Sequence, residues 1–196
     1  MKSLVLAVAV FLCWTIPASH AQKADGLLKI GDRPPVLDFR VFKSEKLVDW
    51  ASLKGRVVVI EFWATWCPPC IKNIPHLNGL AKQFANRPVT FISVTYETEQ
   101  LVEKFQKDHP IKTIIGLDND FAMFKSYRAW GIPMTVIVNN NGRIASVLHP
   151  DNLNESVINE VLSGKVPRVR PAQAWSDPEG AEQYFRSLVK TTKPKK

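Results

Sequence analysis

The sequence predicts an α/β fold with a central mixed β-sheet and helices on both faces of that sheet. Apolar runs typical of buried strands alternate along the chain with segments of helical periodicity. Near the end, Asn139-Asn140-Asn141-Gly142 joins two strand-like runs, and Asn-Gly is a strong hairpin signal. The length of 196 residues suits one domain with appendages, and 45% hydrophobic residues exclude a disordered chain.

An edge strand is expected first, because residues 36–42 alternate between polar and apolar side chains. The run at 57–62 is apolar on both faces except for Glu61, as expected of a strand in the middle of a covered sheet. Apolar residues then recur at helical spacing, which predicts a helix over 67–84. The remaining predicted elements are a strand at 89–94, helices at 97–107 and 120–130, strands at 135–138 and 144–148, and a helix at 153–162.

Residues 1–21 are typical of a signal peptide for export. A positive N-terminal residue precedes the apolar run 4–16, and Ser19 and Ala21 are small residues at positions −3 and −1 of a cleavage site. The run is shorter than the about 20 apolar residues needed to cross a membrane. We therefore expect cleavage after Ala21 and a soluble product in the periplasm, with an uncleaved N-terminal anchor as the alternative.

The charge distribution argues against a nucleic-acid-binding protein. The net charge is +8, of which residues 165–196 carry +5 and residues 22–164 only +2. A nearly neutral body does not provide a basic groove for a polyanion. We interpret 22–164 as the folded domain and 165–196 as an extension punctuated by prolines, with a short amphipathic helix and a basic end.

The cysteines indicate redox chemistry rather than a disulfide scaffold. Of three cysteines, Cys13 lies in the predicted signal peptide, which leaves Cys67 and Cys70 as a single close pair in an exported protein. The pair stands where a buried strand gives way to a helix, and the free amides and dipole of a helix start stabilise a thiolate on Cys67. Cys70, one turn into the helix, is expected to be the more buried, resolving thiol.

A zinc site and a purely structural disulfide are the alternatives for this pair. Zinc would need further ligands, and His76, His109 and His149 are scattered along the chain without the spacing of paired ligands. We expect neither a metal nor another cofactor.

The segment Phe62-Trp63-Ala64-Thr65-Trp66-Cys67-Pro68-Pro69-Cys70 resembles the active site of the thioredoxin superfamily, and most of all its exported TlpA/ResA-like thiol-disulfide reductases. Pro75 stands where that family kinks its active-site helix. Gly131-Ile132-Pro133-Met134-Thr135 is similar to the segment that carries the family's cis-proline. The resemblance covers residues 28–164 and implies a thioredoxin fold with an N-terminal strand extension and a helical insert over 97–130.

The resemblance implies a reductase of protein disulfides. In it, Cys67 attacks the disulfide of a protein substrate, Cys70 resolves the mixed disulfide, and a membrane electron donor of the DsbD/CcdA type restores the dithiol. The residues expected to contact the substrate are Trp66, Pro68, Pro69, Ile132 and Pro133.

Other activities remain open at this point. A disulfide oxidase or isomerase would use the same cysteines. A peroxiredoxin-type peroxidase needs Pro-X-X-X-Thr-X-X-Cys, whereas Thr65 stands two residues before Cys67 instead of three. A binding module without activity is a further alternative, against which the intact cysteine pair argues.

Glu61 is the unusual residue of the central strand. Burial of an acid among apolar side chains raises its pKa. In thioredoxin the matching position holds a buried Asp, the TlpA-like branch often has Asn there, and ResA-like proteins place a Glu where this chain has Asn73. Glu61 is therefore either a proton relay for Cys70 or a structural, partly solvated acid.

Overall fold

The computed structural model describes residues 28–169, so the predicted signal peptide and most of the C-terminal extension lie outside the described residues. The strands are β1 (Arg40–Val41), β2 (Val57–Phe62), β3 (Val89–Thr95), β4 (Ile114–Leu117), β5 (Met134–Val138) and β6 (Ile144–Leu148). The helices are α1 (Pro68–Gln83), α2 (Glu99–Phe105), α3 (Ala122–Ser126) and α4 (Glu155–Leu162), with a 3₁₀ turn at Pro150–Asn152.

The six strands form one mixed sheet in the order β1-β4-β3-β2-β5-β6. The central strand β2 pairs in parallel with β3 and antiparallel with β5. All six residues of β2 are buried, as expected of a strand that is covered on both sides. The predicted mixed sheet is therefore confirmed, with the hairpin between β5 and β6 at its predicted place.

Helices cover both faces of the sheet, because alternate residues of β2 belong to two different clusters. Val58 and Ile60 lie in what we call the aromatic cluster, which includes buried residues of α2 and α3. Val57 and Val59 lie in the aliphatic cluster, with buried residues of α1 and α4. Main members of the aromatic cluster are Phe62, Val102, Phe121, Phe124 and Tyr127, and of the aliphatic cluster Leu77, Leu80, Phe84, Val157 and Val161.

The N-terminal strand and the helical insert both differ from their predictions. The strand expected at 36–42 is reduced to the two residues of β1, which pair with Leu117 and Gly116 of β4. Residues 97–130 are not helical throughout, since they contain β4, which pairs in parallel with β3. Helix α2 is therefore the crossover between two parallel strands.

The helices are shorter than the periodicity predicts. Helix α2 begins after the N-cap Thr98, and α4 begins after the N-cap Asn154, whose side chain accepts a hydrogen bond from the amide of Val157. Helix α3 ends before Arg128, which has a positive φ of 51° that does not continue a helix. Between residues 28 and 169, no helix has the length and apolar content needed to cross a membrane.

Candidate active site

The two cysteines lie at the start of α1, directly after the loop that follows β2. They form a disulfide with an S–S distance of 2.06 Å. Cys67 is the N-cap of the helix, and its Sγ atom accepts a hydrogen bond from the amide of Cys70 at 3.3 Å. Pro68 and Pro69 occupy the first turn and have no amide hydrogen, so this turn gives the sulfur one backbone donor.

The prediction that Cys70 is more buried than Cys67 is wrong for this disulfide form. Cys70 is 3% exposed and Cys67 is 2% exposed, so both side chains are buried when the disulfide is formed. Three neighbours of the cysteines are exposed, Trp66 at 46% and the two prolines Pro68 and Pro69, whereas Trp63 is buried in the aromatic cluster.

The segment before β5 lies beside the end of β2, because the antiparallel register pairs Phe62 with Met134. The peptide bond between Ile132 and Pro133 is cis. Pro133 is buried and Ile132 is half-buried. The sheet thus places these two residues on the side of the molecule where the loop to Cys67 starts.

Glu61 is fully inside the protein, with an exposed fraction of 3%. In the sheet it lies between Ser93 of β3 and Thr135 of β5. The hydroxyl of Thr135 donates to one carboxylate oxygen, and the amide nitrogen of Asn73 on α1 donates to the other at 3.4 Å. Burial outweighs these two donors and raises the pKa of Glu61 to about 8.

A narrow cavity brings Glu61 and Cys70 together. Its volume is about 10 Å³, close to the space that one water molecule occupies. Trp63 and Asn73 line it as well, and the indole nitrogen of Trp63 has no hydrogen-bond partner among the residues described. The acid that the sequence singled out therefore shares a cavity with the resolving cysteine.

A second buried acid, Glu97, lies just beyond the end of β3 and holds the loop before Cys67. One carboxylate oxygen accepts from the amide of Thr65 at 2.7 Å, and the other accepts from the hydroxyl of Thr65 at 2.8 Å. The hydroxyl of Thr95 donates at 3.2 Å. Glu97 is 1% exposed, and burial raises its pKa.

Tyr96, the residue before Glu97, forms a hydrogen bond with Trp66, the residue after Thr65 in the loop before Cys67. The indole nitrogen of Trp66 donates to the hydroxyl of Tyr96 at 2.8 Å. Sequence reasoning missed both Tyr96 and Glu97, because Thr95-Tyr96-Glu97-Thr98-Glu99 has the composition of an exposed helix start. The only usable signal is their position directly after a buried strand that runs parallel to β2.

The family model for redoxins matches residues 29–162, which is more than half of the chain. The chain belongs to the redoxin family. Among the curated relatives of this redoxin, the thiol-disulfide oxidoreductase ResA of Bacillus subtilis is 29% identical over 60% of this chain and 66% of its own length. ResA of Bacillus cereus is 27% identical over 74% of this chain and 80% of its own length.

Solved structures agree with the fold of this redoxin. The thioredoxin domain of a thiol-disulfide oxidoreductase from Bacteroides vulgatus superposes with a TM-score of 0.59 at 22% identity, covering 71% of this chain and 99% of that chain. A thiol:disulfide interchange protein of the thioredoxin family from Chlorobium tepidum gives a TM-score of 0.57 at 22% identity. This match covers 70% of this chain and 97% of that chain. The fold is therefore that of thioredoxin.

The relatives and the disulfide together make this redoxin a ResA-like thiol-disulfide oxidoreductase of the thioredoxin superfamily. Its chemistry needs a pair of sulfurs that close and open a small ring, and a group that takes and returns a proton. The helix start supplies the pair of sulfurs, and Glu61 is the titratable side chain that lines the cavity beside Cys70. No cluster of three or more potential metal ligands occurs in the part of the chain that the structure describes.

Proposed function

We propose that this redoxin is an exported reductase of protein disulfides. The observation that carries the proposal is the sparse backbone environment of the Cys67 sulfur. The Cys70 amide is the donor that the first turn of α1 supplies, since Pro68 and Pro69 have none. A thiolate with few donors is weakly stabilised, which favours the disulfide over the dithiol and makes the reduced protein a good electron donor.

The proposed cycle begins with the thiolate of Cys67, which attacks one sulfur of a substrate disulfide and expels the other as a thiolate. The thiolate of Cys70 then attacks the Cys67 sulfur, which closes the Cys67–Cys70 disulfide and releases the second substrate thiolate. Two electrons pass from the protein to the substrate. The shared cavity and a pKa of about 8 support Glu61 as the group that takes the proton of Cys70.

The expected substrate surface surrounds the two sulfurs. Trp66 is exposed, and Pro68 and Pro69 are exposed at the start of α1. The backbone of Ile132, before Pro133, would pair with an extended segment of the substrate by main-chain hydrogen bonds. We assign these five residues to the binding of disulfide-bearing proteins.

The proposal also includes export of the protein and reduction of its Cys67–Cys70 disulfide after each turnover. Residues 1–21 have the composition of a signal peptide, and we place the mature protein in the periplasm. Each turnover leaves the protein oxidised, so it needs a dithiol donor outside the cytosol. The resemblance to TlpA/ResA-like proteins supports a membrane donor of the DsbD/CcdA type.

The direction of electron flow is tested by equilibration with glutathione. We expect a reduction potential near −270 mV, as in thioredoxin, and far from the −120 mV of DsbA. A potential above about −170 mV would contradict the reductase assignment and favour an oxidase or isomerase.

The order of the two cysteines is tested in the reduced protein. Brief alkylation at neutral pH followed by peptide mapping should label Cys67 before Cys70, because Cys67 caps the helix start. The variant Cys70→Ser should accumulate a mixed disulfide with substrate, and Cys67→Ser should not. Faster labelling of Cys70 would reverse the assignment of the nucleophile.

A further inference from the structure

The loop that leads from β2 to Cys67 is fastened to the end of β3 by two consecutive residues. Glu97 binds the backbone and the hydroxyl of Thr65, and Tyr96 binds the indole of Trp66. These are the last two loop residues before Cys67. The contacts link residues about thirty positions apart, and all of them converge on the segment directly before the nucleophile.

We propose that Glu97 and Tyr96 are positioning residues with separate effects, Glu97 on the reactivity of Cys67 and Tyr96 on the binding of protein substrates. The proposal rests on Cys67 being the nucleophile, but it holds for either direction of electron flow.

Glu97 is suited to fix a backbone position. It is 1% exposed, and no Lys, Arg or His among residues 28–169 forms an ion pair with its carboxylate, so hydrogen bonds alone offset the loss of hydration. Its bond to the Thr65 amide, at 2.7 Å, is the shortest of the three that the carboxyl group accepts from Thr65 and Thr95, and it ties this side chain directly to the backbone. The two oxygens together restrain both the backbone and the side chain of Thr65.

The restraint on Thr65 reaches Cys67 through a single tight turn. The amide of Cys67 donates to the carbonyl oxygen of Ala64 at 3.2 Å, so residues 64–67 form one hydrogen-bonded turn with Thr65 inside it. The direction in which the Cys67 sulfur meets an incoming disulfide therefore depends on where Glu97 holds this turn. A displacement of about 1 Å at a reacting centre is enough to slow a reaction greatly.

Tyr96 is suited to orient an exposed side chain. It is 3% exposed, and its ring makes edge-to-face contacts with Phe121 at 5.3 Å and Phe124 at 5.1 Å between centroids. Its hydroxyl is thus a fixed acceptor for Trp66, which remains 46% exposed. An aromatic contact that is held in place before binding loses less conformational freedom when the partner arrives.

Two electron acceptors of different size separate the two effects in the full-length protein. Glutathione disulfide reaches the sulfur of Cys67 without needing a protein surface, whereas an oxidised protein such as insulin also needs Trp66. Rate constants are measured at a pH at which Cys67 is fully ionised, as monitored by thiolate absorbance, so that a change in thiol pKa does not enter the comparison.

Glu97→Ala is expected to slow the reaction with glutathione disulfide by about tenfold, and with insulin to the same degree. Glu97→Gln should recover most of the rate, because its amide oxygen can still accept from Thr65. The matched control is Glu99→Gln, a half-buried glutamate two residues further on that pairs with Arg40 instead of Thr65. Folded Glu97→Ala protein with the wild-type rate constant would overturn the role of Glu97.

Tyr96→Phe is expected to raise KM for insulin by about threefold to tenfold, with kcat and the rate with glutathione disulfide unchanged. Tyr127→Phe is the matched control, because this buried tyrosine also loses one hydrogen bond, to the carbonyl of Pro35 at 2.9 Å. An unchanged KM in Tyr96→Phe, or an equal rise in Tyr127→Phe, would overturn the role of Tyr96.

Thr65→Val covers the case in which Glu97→Ala does not fold. It removes the hydroxyl bond to Glu97 and keeps the amide bond, so a smaller decrease with both acceptors is expected. A wild-type rate in this variant would count against the proposal. A reduction potential too high for a reductase in the glutathione equilibration, together with the expected rate changes, would reject the reductase function and leave the positioning roles standing.

Discussion

Glu61 and Glu97 are the same residue type, both buried beside the redox site, yet their surroundings differ. Glu61 lies one residue before the end of β2 and receives two side-chain donors, of which Asn73 is distant at 3.4 Å. Glu97 follows the end of β3 and receives a backbone amide and two hydroxyls, from Thr65 and Thr95. Burial raises the pKa of both acids, and for Glu61 it does so to about 8.

The proposed roles follow this difference, with Glu61 assigned to proton transfer and Glu97 to holding the backbone of Thr65. An acid with few donors is left with a pKa near the working pH, which suits a group that takes and returns a proton. An acid whose carboxyl oxygens accept hydrogen bonds from a backbone amide and from hydroxyl groups restrains the position of that backbone. The number and kind of donors, rather than burial itself, separates the two roles.

The largest effect is expected from Glu61→Gln on the step in which Cys70 resolves the mixed disulfide. Loss of a general base slows such steps by about a hundredfold. The wild-type rate should rise with pH to an inflection near 8 that reports ionisation of Glu61, and this inflection should disappear in the variant. Rapid mixing of reduced protein with a fluorescent disulfide measures the step, with Glu103→Gln as an exposed control.

The stability of the oxidised protein should move in opposite directions when the two acids are replaced. Between pH 4.5 and about 8, folded Glu61 holds a proton that the unfolded chain has released, so wild-type stability falls as pH rises through this range. Glu61→Gln should therefore flatten this slope and raise Tm at pH 9 by about 4 °C or more.

Glu97→Ala should instead lower the free energy of unfolding at pH 7 by about 1–3 kcal/mol, because the amide of Thr65 loses its acceptor. Thermal unfolding followed by circular dichroism at several pH values tests both variants. If the two replacements shift Tm in the same direction at pH 9, the distinction between the acids fails.

A smaller effect is expected when one of the two hydrogen-bond donors to Glu61 is removed. The hydroxyl of Thr135 lowers the pKa of Glu61, so Thr135→Val should raise this pKa further. The inflection of the pH-rate profile should move upward accordingly, with the maximal rate preserved. A profile identical to that of the wild type would mean that Thr135 does not tune Glu61.

The smallest effect is expected from removal of residues 170–196, since both acids and both cysteines lie within the described fold. Insulin reduction should change by less than about twofold, because every residue to which we assign a role in the reaction lies within residues 28–169. Extending the deletion to residue 166 should lower Tm, since Pro167 is buried and Val169 packs against the aliphatic cluster. Loss of activity in the shorter deletion would give the extension a functional role.

The sequence was sufficient to predict the elements with strong local signals. The run of six apolar-type positions in β2, the helical spacing in α1 and the Asn-Gly hairpin each correspond to an element of the structure. Strand β4 could not be found in this way, because Ile114–Leu117 is four residues long and contains Gly116. That glycine is required by the fold, since a Cβ atom there would lie 2.8 Å from the ring of Phe39.

In the candidate site, too, the residues with a strong local signal were predicted from the sequence and the others were not. Cys67, Cys70 and Glu61 stand out by spacing or by being out of place in an apolar strand. Glu97 and Tyr96 do not, because an acid and a tyrosine after a strand are ordinary at a surface. Their importance depends on the parallel register of β2 and β3, which is a property of the assembled sheet.

The two edges of the sheet have a consequence for self-association of the folded domain. One edge strand, β1, is only two residues long, and at the other edge Gly31 and Asp32 exchange hydrogen bonds with Ile144 of β6, at 2.8 and 2.9 Å. Long unpaired edge strands recruit extended segments of other molecules and lead to aggregation. A short strand at one edge and a partly bonded strand at the other therefore leave two copies of the domain little backbone through which to join their sheets.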